Sequence, residues 1–217
     1  MQFSSLEFIF LYLPVCLLCY FLLPWKWRNP VLLLFSLLFY GWEQPLYVTV
    51  MLFTIAVDWL CGRGIGFFMV RGKNKQADRL MTLAVVLNLS LLAFFKYAGL
   101  FLDTLRSLPG LSSVPEWHVT LPIGISFYTF QSLSYVIDVR RGTVAAQKNP
   151  VVFGTYVTMF PQLIAGPIVR YADVENELLT GVRPDWSRVG NGVRRFICGL
   201  CKKFPDHIKN TGIGSRI

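Results

Sequence analysis

The chain has 217 residues, of which 54% are hydrophobic and only 15% are charged, and its formal net charge at neutral pH is +9. A soluble domain carries about a quarter charged residues, so this composition excludes an ordinary soluble domain and indicates an integral membrane protein. The basic residues lie in short stretches between apolar runs, which fits lipid headgroups and membrane topology and argues against nucleic acid as a partner.

The chain begins with three predicted membrane spans, at residues 8–23, 31–42 and 46–60. Pro24 closes the first span. We place Pro30 and Pro45 in the first turns of the second and third helices, where a missing backbone N–H is tolerated.

A basic loop is predicted at residues 62–79. It contains five Lys and Arg residues against one acidic residue, Asp78, which gives a local charge of +4. Short cytoplasmic loops of membrane proteins are enriched in Lys and Arg. We therefore place this loop in the cytoplasm, and the charges beside the other spans agree with an N-terminus outside.

A fourth span is predicted at residues 80–102, and an external loop at 103–120. Lys96 interrupts the span, and its long side chain can reach the membrane interface. Residues 121–137 then form the return span, and the cations at Arg140, Arg141 and Lys148 mark the cytoplasmic side again.

The return span contains no charge but five polar side chains, those of Ser126, Thr129, Gln131, Ser132 and Ser134. Polar groups at membrane depth are costly without partners, so we expect other helices or a wet cavity beside this helix. Residues 151–169 are also uncharged, but Pro161 and Gly166-Pro167 interrupt them. Irregular backbone at membrane depth needs protein or water around it, so the two segments together predict a site.

Beyond Arg170 the chain becomes more polar. Residues 186–200 alternate apolar and basic side chains at helical spacing, which predicts an amphipathic helix on the cytoplasmic surface. Residues 204–217 are polar and without period, and we expect a disordered tail. The predicted fold class is all-α: a polytopic transmembrane helical bundle with a broken or re-entrant helix and a C-terminal amphipathic helix.

Three polar residues are candidates for lining a substrate path. Gln131 lies in the middle of the return span, where its amide either joins helices or faces a site. Gln162 lies beside Pro161, and Arg170 follows Gly166-Pro167, where a broken helix frees backbone groups to face a ligand.

Other ionisable residues have simpler interpretations. Asp58 lies late in the third span, and we favour a structural role in which it pairs with Arg63 over a functional one. Asp138, with the two arginines that follow it, either anchors the helix or meets a phosphorylated donor. His118 and His207 lie outside the spans, so neither is assigned a catalytic role. The five cysteines lack the spacing of a zinc site, and we predict no metal.

Five stretches together resemble the membrane-bound O-acyltransferase family, specifically its alginate O-acetyltransferase branch. They are FSSLEFIFLYLPVCLLCYFLLP, NPVLLLFSLLFYGWEQP, LNLSLLAFFKYAGLF, LPIGISFYTFQSLSYVIDVRRG and FPQLIAGPIVRYADV. The resemblance runs from residue 3 to about Lys203. It implies that residues 1–203 are the N-terminal part of such a transmembrane domain, followed by a disordered or aberrant tail at 204–217.

The resemblance implies a multi-pass protein of the cell membrane that moves acetyl groups from a cytoplasmic donor, acetyl-CoA, to an exported alginate-type polysaccharide. It implies membrane lipid and periplasmic or extracellular polysaccharide-modifying acetyltransferases as partners. The family's catalytic histidine lies in a later membrane helix, so it has no counterpart here, and we expect a truncated chain that is inactive alone. Two alternatives remain open: a transporter or flippase of a lipid-linked sugar, and an inert remnant.

Overall fold

The computed structural model describes residues 5–106, 121–163, 166, 168–180 and 185–210. These residues are helical or form short connections, and no strand occurs among them, which confirms the all-α prediction. A π-helical turn at Phe8–Tyr12 leads into the first α-helix. The α-helices are α1 Leu13–Leu22, α2 Trp25–Glu43, α3 Tyr47–Val70, α4 Asn74–Arg106, α5 Ile125–Arg141, α6 Pro150–Thr158, α7 Phe160–Leu163, α8 Tyr171–Thr180 and α9 Trp186–Asn210.

Two helices are long and apolar enough to cross a membrane, by length and composition: Tyr47–Val70 and Asn74–Phe101. The segment Phe8–Leu22 is apolar but shorter. In the packed structure, α3, α4 and α5 contact one another, and α2 packs against α6. Helix α5 packs against α3, α4, α6 and α8, and most of its residues are buried, while the polytopic arrangement in a bilayer remains a prediction.

The prediction of a loop at residues 62–79 is wrong. Helix α3 continues to Val70 and α4 begins at Asn74, so only a short turn separates them. The basic residues that predicted a loop lie on the two helices and the short turn between them, and three glycines of α3, at positions 62, 64 and 66, are sites of close packing. A Cβ on Gly62 would lie 2.7 Å from Cε1 of Tyr135. Glycine lowers helix propensity, but here its missing side chain lets two helices approach closely, and tertiary packing outweighs propensity.

The start of the second span was also predicted wrongly. Helix α2 begins at Trp25, directly after an extended Pro24, and Pro30 lies inside the helix instead of in its first turn. Proline at this depth removes one helical hydrogen bond, the one that the carbonyl of Lys26 would otherwise accept.

The break predicted near Pro161 is present. Helix α6 ends at Thr158, Met159 leaves the helical region with φ −49° and ψ 109°, and α7 begins one residue later. A continuous helix would press the ring of Pro161 against the carbonyl of Val157, which explains why the break precedes the proline. Gly166 lies in a bend, Pro167 lies outside the described residues, and a re-entrant path remains a prediction.

The predicted amphipathic helix is α9, and it continues to Asn210, seven residues into the predicted tail. Residues 211–217 lie outside the described part of the chain, as do residues 107–120 of the predicted external loop. On its apolar side, α9 helps to line a cavity of about 470 Å³ with the N-terminal helix and with the Met159–Pro161 break.

Candidate functional site

The start of α5 is held against the end of α7. Gly124 precedes the helix with φ +76°, a conformation that other residues rarely adopt. A Cβ at this position would lie 2.6 Å from the carbonyl oxygen of Leu163. Glycine therefore permits both the turn into α5 and the close approach of the broken helix.

Gln131 of α5 repairs the hydrogen bonding at this break. In a continuous helix, the carbonyl of Tyr156 would accept from the backbone N–H of Phe160. The break separates them, and Nε2 of Gln131 donates to the Tyr156 carbonyl at 2.9 Å. The N–H of Phe160 donates instead to the hydroxyl of Ser36 on α2 at 3.3 Å. Side chains of two other helices thus satisfy the backbone groups that the break releases.

The structure brings the two glutamine candidates together. Nε2 of Gln131 also lies 3.2 Å from Oε1 of Gln162, and the Gln162 amide in turn donates to the sulfur of Met159 at 3.3 Å. Gln131 is only 3% exposed, whereas Gln162 is half-buried. The two amides form a polar contact directly beside the helix break.

Arg170 lies elsewhere, beside the last turns of α5. Its Nη2 contacts Oδ1 of Asp138 at 2.6 Å, and its Nε donates to Oδ2 at 3.3 Å, a two-pronged contact. The Asp138 side chain is 3% exposed and that of Arg170 is 52% exposed. Asp138 is seven residues after Gln131, about 10 Å along the helix, so Arg170 does not touch the glutamine pair.

Tyr156 makes contacts beside both the glutamine pair and the Arg170–Asp138 ion pair. Its hydroxyl donates to the carbonyl of Val169 at 2.9 Å and lies 3.3 Å from the carbonyl of Gln131. Its ring packs in a buried cluster with the rings of Tyr135, Phe153 and Tyr171, at centroid distances of 4.5 to 6.2 Å. Between the glutamine pair and the Arg170 ion pair, this face of α5 is therefore filled by aromatic rings.

Gln147, in the segment after α5, forms hydrogen bonds to the tyrosines of the same cluster. Its backbone N–H donates to the hydroxyl of Tyr135 at 2.8 Å, and its side-chain amide donates to the hydroxyl of Tyr171 at 2.7 Å. Its own carbonyl accepts from the indole of Trp59 on α3 at 3.0 Å. Sequence reasoning missed this residue, because only the fold brings it to the buried tyrosines.

The predicted pairing of Asp58 with Arg63 is wrong. Asp58 is completely buried, and its Oδ1 accepts from Nδ2 of Asn88 on α4 at 2.6 Å. Arg63 lies instead over the ring of Trp59, 5.8 Å from its centroid. Residues five apart on a helix point about 140° away from each other, so Asp58 and Arg63 cannot meet. Asn88, a lone amide in an apolar run, was the overlooked signal.

Helix α5 has a second polar face, toward α2 and α3. On this face, four buried polar atoms have no hydrogen-bond partner among the described residues: the hydroxyls of Tyr40, Tyr128 and Thr129, and Oδ2 of Asp58. Such groups are rare in folded proteins, because each one forgoes its bonds to water. The expectation that Thr129 would be enclosed by other helices agrees with its complete burial.

The other ionisable candidates are placed as follows. Arg140 pairs with Asp78 at 2.6 Å, which joins the end of α5 to the start of α4. His118 lies outside the described residues, and His207 lies in α9 at a position whose side chain is not described. Within the described part, no group of three or more His, Cys, Asp or Glu side chains could hold a metal ion.

Comparison with known proteins finds similarity along nearly the whole chain. It is 38% identical over 206 residues, 94% of its length, to a protein of Azotobacter vinelandii named probable alginate O-acetylase AlgI. The identity to the protein of the same name from Pseudomonas aeruginosa is also 38%, over the same share of the chain. A peptidoglycan O-acetyltransferase of Helicobacter pylori is 29% identical over 93% of the chain.

The alignments cover 41%, 39% and 43% of these three relatives, so the chain spans about two fifths of their length. No protein-family model matches the chain. No solved structure is detectably similar to it. The resemblance indicated by the sequence motifs is confirmed by the named relatives.

Proposed function

We propose, from the premise that this chain is a relative of the alginate O-acetylases, that it forms part of a membrane-bound O-acetyltransferase. This enzyme would move acetyl groups from a cytoplasmic donor, acetyl-CoA, to an exported alginate-type polysaccharide. The observation that carries the proposal is the similarity to O-acetyltransferases over 94% of the chain. The apolar helices Tyr47–Val70 and Asn74–Phe101 support a multi-pass location in the cell membrane.

In this proposal the broken helix and α5 border the path of the acetyl group. The amides of Gln131 and Gln162 meet at the break, where they offer donors and acceptors beside irregular backbone. Broken membrane helices bind polar ligands in other proteins for the same reason. Arg170, half exposed and anchored by Asp138, would border the path at the end of α5 that the charge pattern predicts to be cytoplasmic.

The catalytic base would come from the histidine that the resemblance places in a later membrane helix. Acetyl transfer would then depend on that helix, and periplasmic or extracellular polysaccharide-modifying acetyltransferases would complete the pathway. The role proposed for the residues described here is to shape the path and not to carry out the proton transfer.

The test is the O-acetyl content of exopolysaccharide from cells whose full-length O-acetyltransferase, containing this region and the later histidine-bearing helix, carries the substitution Gln131→Leu. We expect acetyl content to fall at least tenfold, because the substitution removes the amide that satisfies the backbone at the helix break beside the proposed path. Gln76→Leu is the matched control, since Gln76 is exposed at the start of α4. An acetyl content that stays at the wild-type level in Gln131→Leu, with the protein present in the membrane, would contradict the proposal.

The same cultures distinguish acetyl transfer from transport of a lipid-linked sugar, an alternative without support among the relatives named above. An acetyltransferase defect lowers acetyl groups per sugar and leaves the amount of secreted polysaccharide unchanged. A transport defect lowers the amount secreted, with the acetyl content per sugar unchanged.

A further inference from the structure

A groove of about 590 Å³ lies between the last turns of α3 and the segment that follows α5. Its lining combines apolar side chains with three cations, Arg63, Arg71 and Lys148. We call it the basic groove. It lies apart from the glutamine pair, and the proposed path does not use it.

Within the described part of the chain, the three cations of the basic groove have no acidic partner. The arginines nearby behave differently, because Arg140 is held by Asp78 and Arg170 by Asp138. The groove therefore presents three exposed cations toward one space, an arrangement that favours an anionic ligand.

The groove is also amphipathic along the axis of α3. Arg63 and Arg71 are eight residues apart, about 12 Å along the helix. Between them lie Phe67 and Val70, whose side chains are 50% and 90% exposed. The guanidinium of Arg71 lies 3.9 Å from the centre of the Phe67 ring, so charged and apolar groups share one surface.

The wall opposite α3 is held in place by tight packing. A Cβ on Gly66 would lie 2.7 Å from the Cβ of Ala146, so the segment after α5 lies directly against the helix. Val144 is buried in this segment, whereas Lys148 is exposed. The contact sets the lysine beside α3 on the side that the charge pattern predicts to be cytoplasmic.

We propose that the basic groove binds the phosphate headgroup of an anionic phospholipid, with the lipid's acyl chains lying along Phe67 and Val70. Basic pockets between membrane helices on the cytoplasmic side are suited to such headgroups. The apolar surface favours a lipid over a soluble phosphate compound, which would leave Phe67 and Val70 exposed to water.

The experiment measures lipid retained by the purified full chain in an uncharged detergent. The protein is mixed with phosphatidylglycerol or with phosphatidylcholine of the same acyl chains, separated by gel filtration, and the bound lipid is quantified by mass spectrometry. Parallel samples contain inorganic phosphate or coenzyme A at increasing concentration. We expect retention of phosphatidylglycerol, little phosphatidylcholine, and no displacement by either soluble compound at concentrations equal to that of the lipid.

Two double variants are compared. The groove variant combines Arg71→Gln with Lys148→Gln, and the control combines Lys73→Gln with Lys75→Gln. Both remove two exposed cations, but only the first pair lines the groove. We expect the affinity for phosphatidylglycerol to fall about fivefold per cation removed from the groove and to stay within twofold of wild type in the control.

Four results would overturn the proposal. They are equal retention of the two lipids by the wild-type chain, equal losses in the two double variants, no loss in the groove variant, and displacement of the lipid by inorganic phosphate or coenzyme A. The comparison of lipids uses the wild-type chain alone, so it remains decisive even if a variant folds poorly.

Discussion

Single side chains carry much of the hydrogen bonding between the buried helices. Asn88 is the clearest case, because its side-chain amide on α4 donates a hydrogen bond to the completely buried Asp58 on α3. A buried carboxylate without donors keeps none of the stabilisation that water would give it, so its partner matters more than the average polar contact.

The substitution Asn88→Leu is expected to destabilise the chain by about 2 kcal/mol, because it leaves Asp58 without this donor. The measurement is the thermal unfolding midpoint in detergent, followed by tryptophan fluorescence. Ser90→Leu, at an exposed position of the same helix, is the control and should leave the midpoint unchanged. Equal midpoints for Asn88→Leu and wild type would show that the contact contributes nothing.

Tyr156→Phe removes the hydroxyl that ties α6 to the carbonyl of Val169. Hydrogen bonds within membrane helix bundles contribute about 0.6 kcal/mol on average, so we expect a loss of this size and no more than about 1.7 kcal/mol. The control is Tyr97→Phe, because Tyr97 is an exposed tyrosine of α4. The urea concentration at half-unfolding in mixed micelles measures both, and a loss in Tyr97→Phe as large as that in Tyr156→Phe would refute the assignment.

At the scale of elements, glycine decides how closely α3 approaches α5. Gly62 faces the ring of Tyr135, whose hydroxyl and Cε1 both lie where a side chain would begin. Tyr135 itself is fixed by Phe153, at a centroid distance of 4.5 Å, and by Gln147. The ring therefore has little freedom to move aside.

Gly62→Ala should lower stability by about 1–3 kcal/mol, because the added methyl group overpacks the α3–α5 contact. Gly99→Ala is the matched substitution, since a Cβ there meets no atom within 4 Å. Alanine favours helix over glycine, so this control should be neutral or more stable by up to about 1 kcal/mol. Thermal unfolding of the two variants in parallel checks the prediction, and a stabilised Gly62→Ala would contradict it.

Sequence reasoning succeeded where the chemistry is local and failed where it depends on a distant neighbour. The break before Pro161 follows from the proline itself, and α4 follows from its apolar length. The continuation of α3 through Gly62 could not be predicted, because the reason for that glycine is Tyr135, which lies 73 positions later. The partner of Asp58 was missed for the same reason, since Asn88 is on another helix.

At the scale of the whole molecule, the described bundle has two ends that contacts between separate elements define. At one end, the side-chain oxygen of Gln44 accepts from the backbone N–H of Ile123 at 2.8 Å, which brings the α2–α3 connection beside the start of α5. At the other end lie the turn at residues 71–73, the start of α4 and the end of α5, and the Arg140–Asp78 pair joins α5 to α4. The charge pattern predicts that this second end faces the cytoplasm.

Cysteine labelling in intact cells tests this orientation. In a chain whose five native cysteines are replaced, Gln44→Cys should react with a thiol reagent that does not cross the membrane, and Lys73→Cys should react only after the cells are opened. Reaction of both positions in intact cells, or of neither, would refute the arrangement of α3 as a span between them. Exchange of the two results would reverse the predicted orientation.

The satisfied backbone at the break of α6 and α7 has a consequence for biosynthesis. Its two hydrogen-bond partners, Ser36 and Gln131, both precede the break in the chain. A ribosome makes the protein from the N-terminus, so both side chains leave it before the interrupted segment does. When the interrupted segment enters the membrane, the Ser36 acceptor and the Gln131 donor have therefore already been synthesised. Hydrogen bonding at the break does not depend on any later part of the chain.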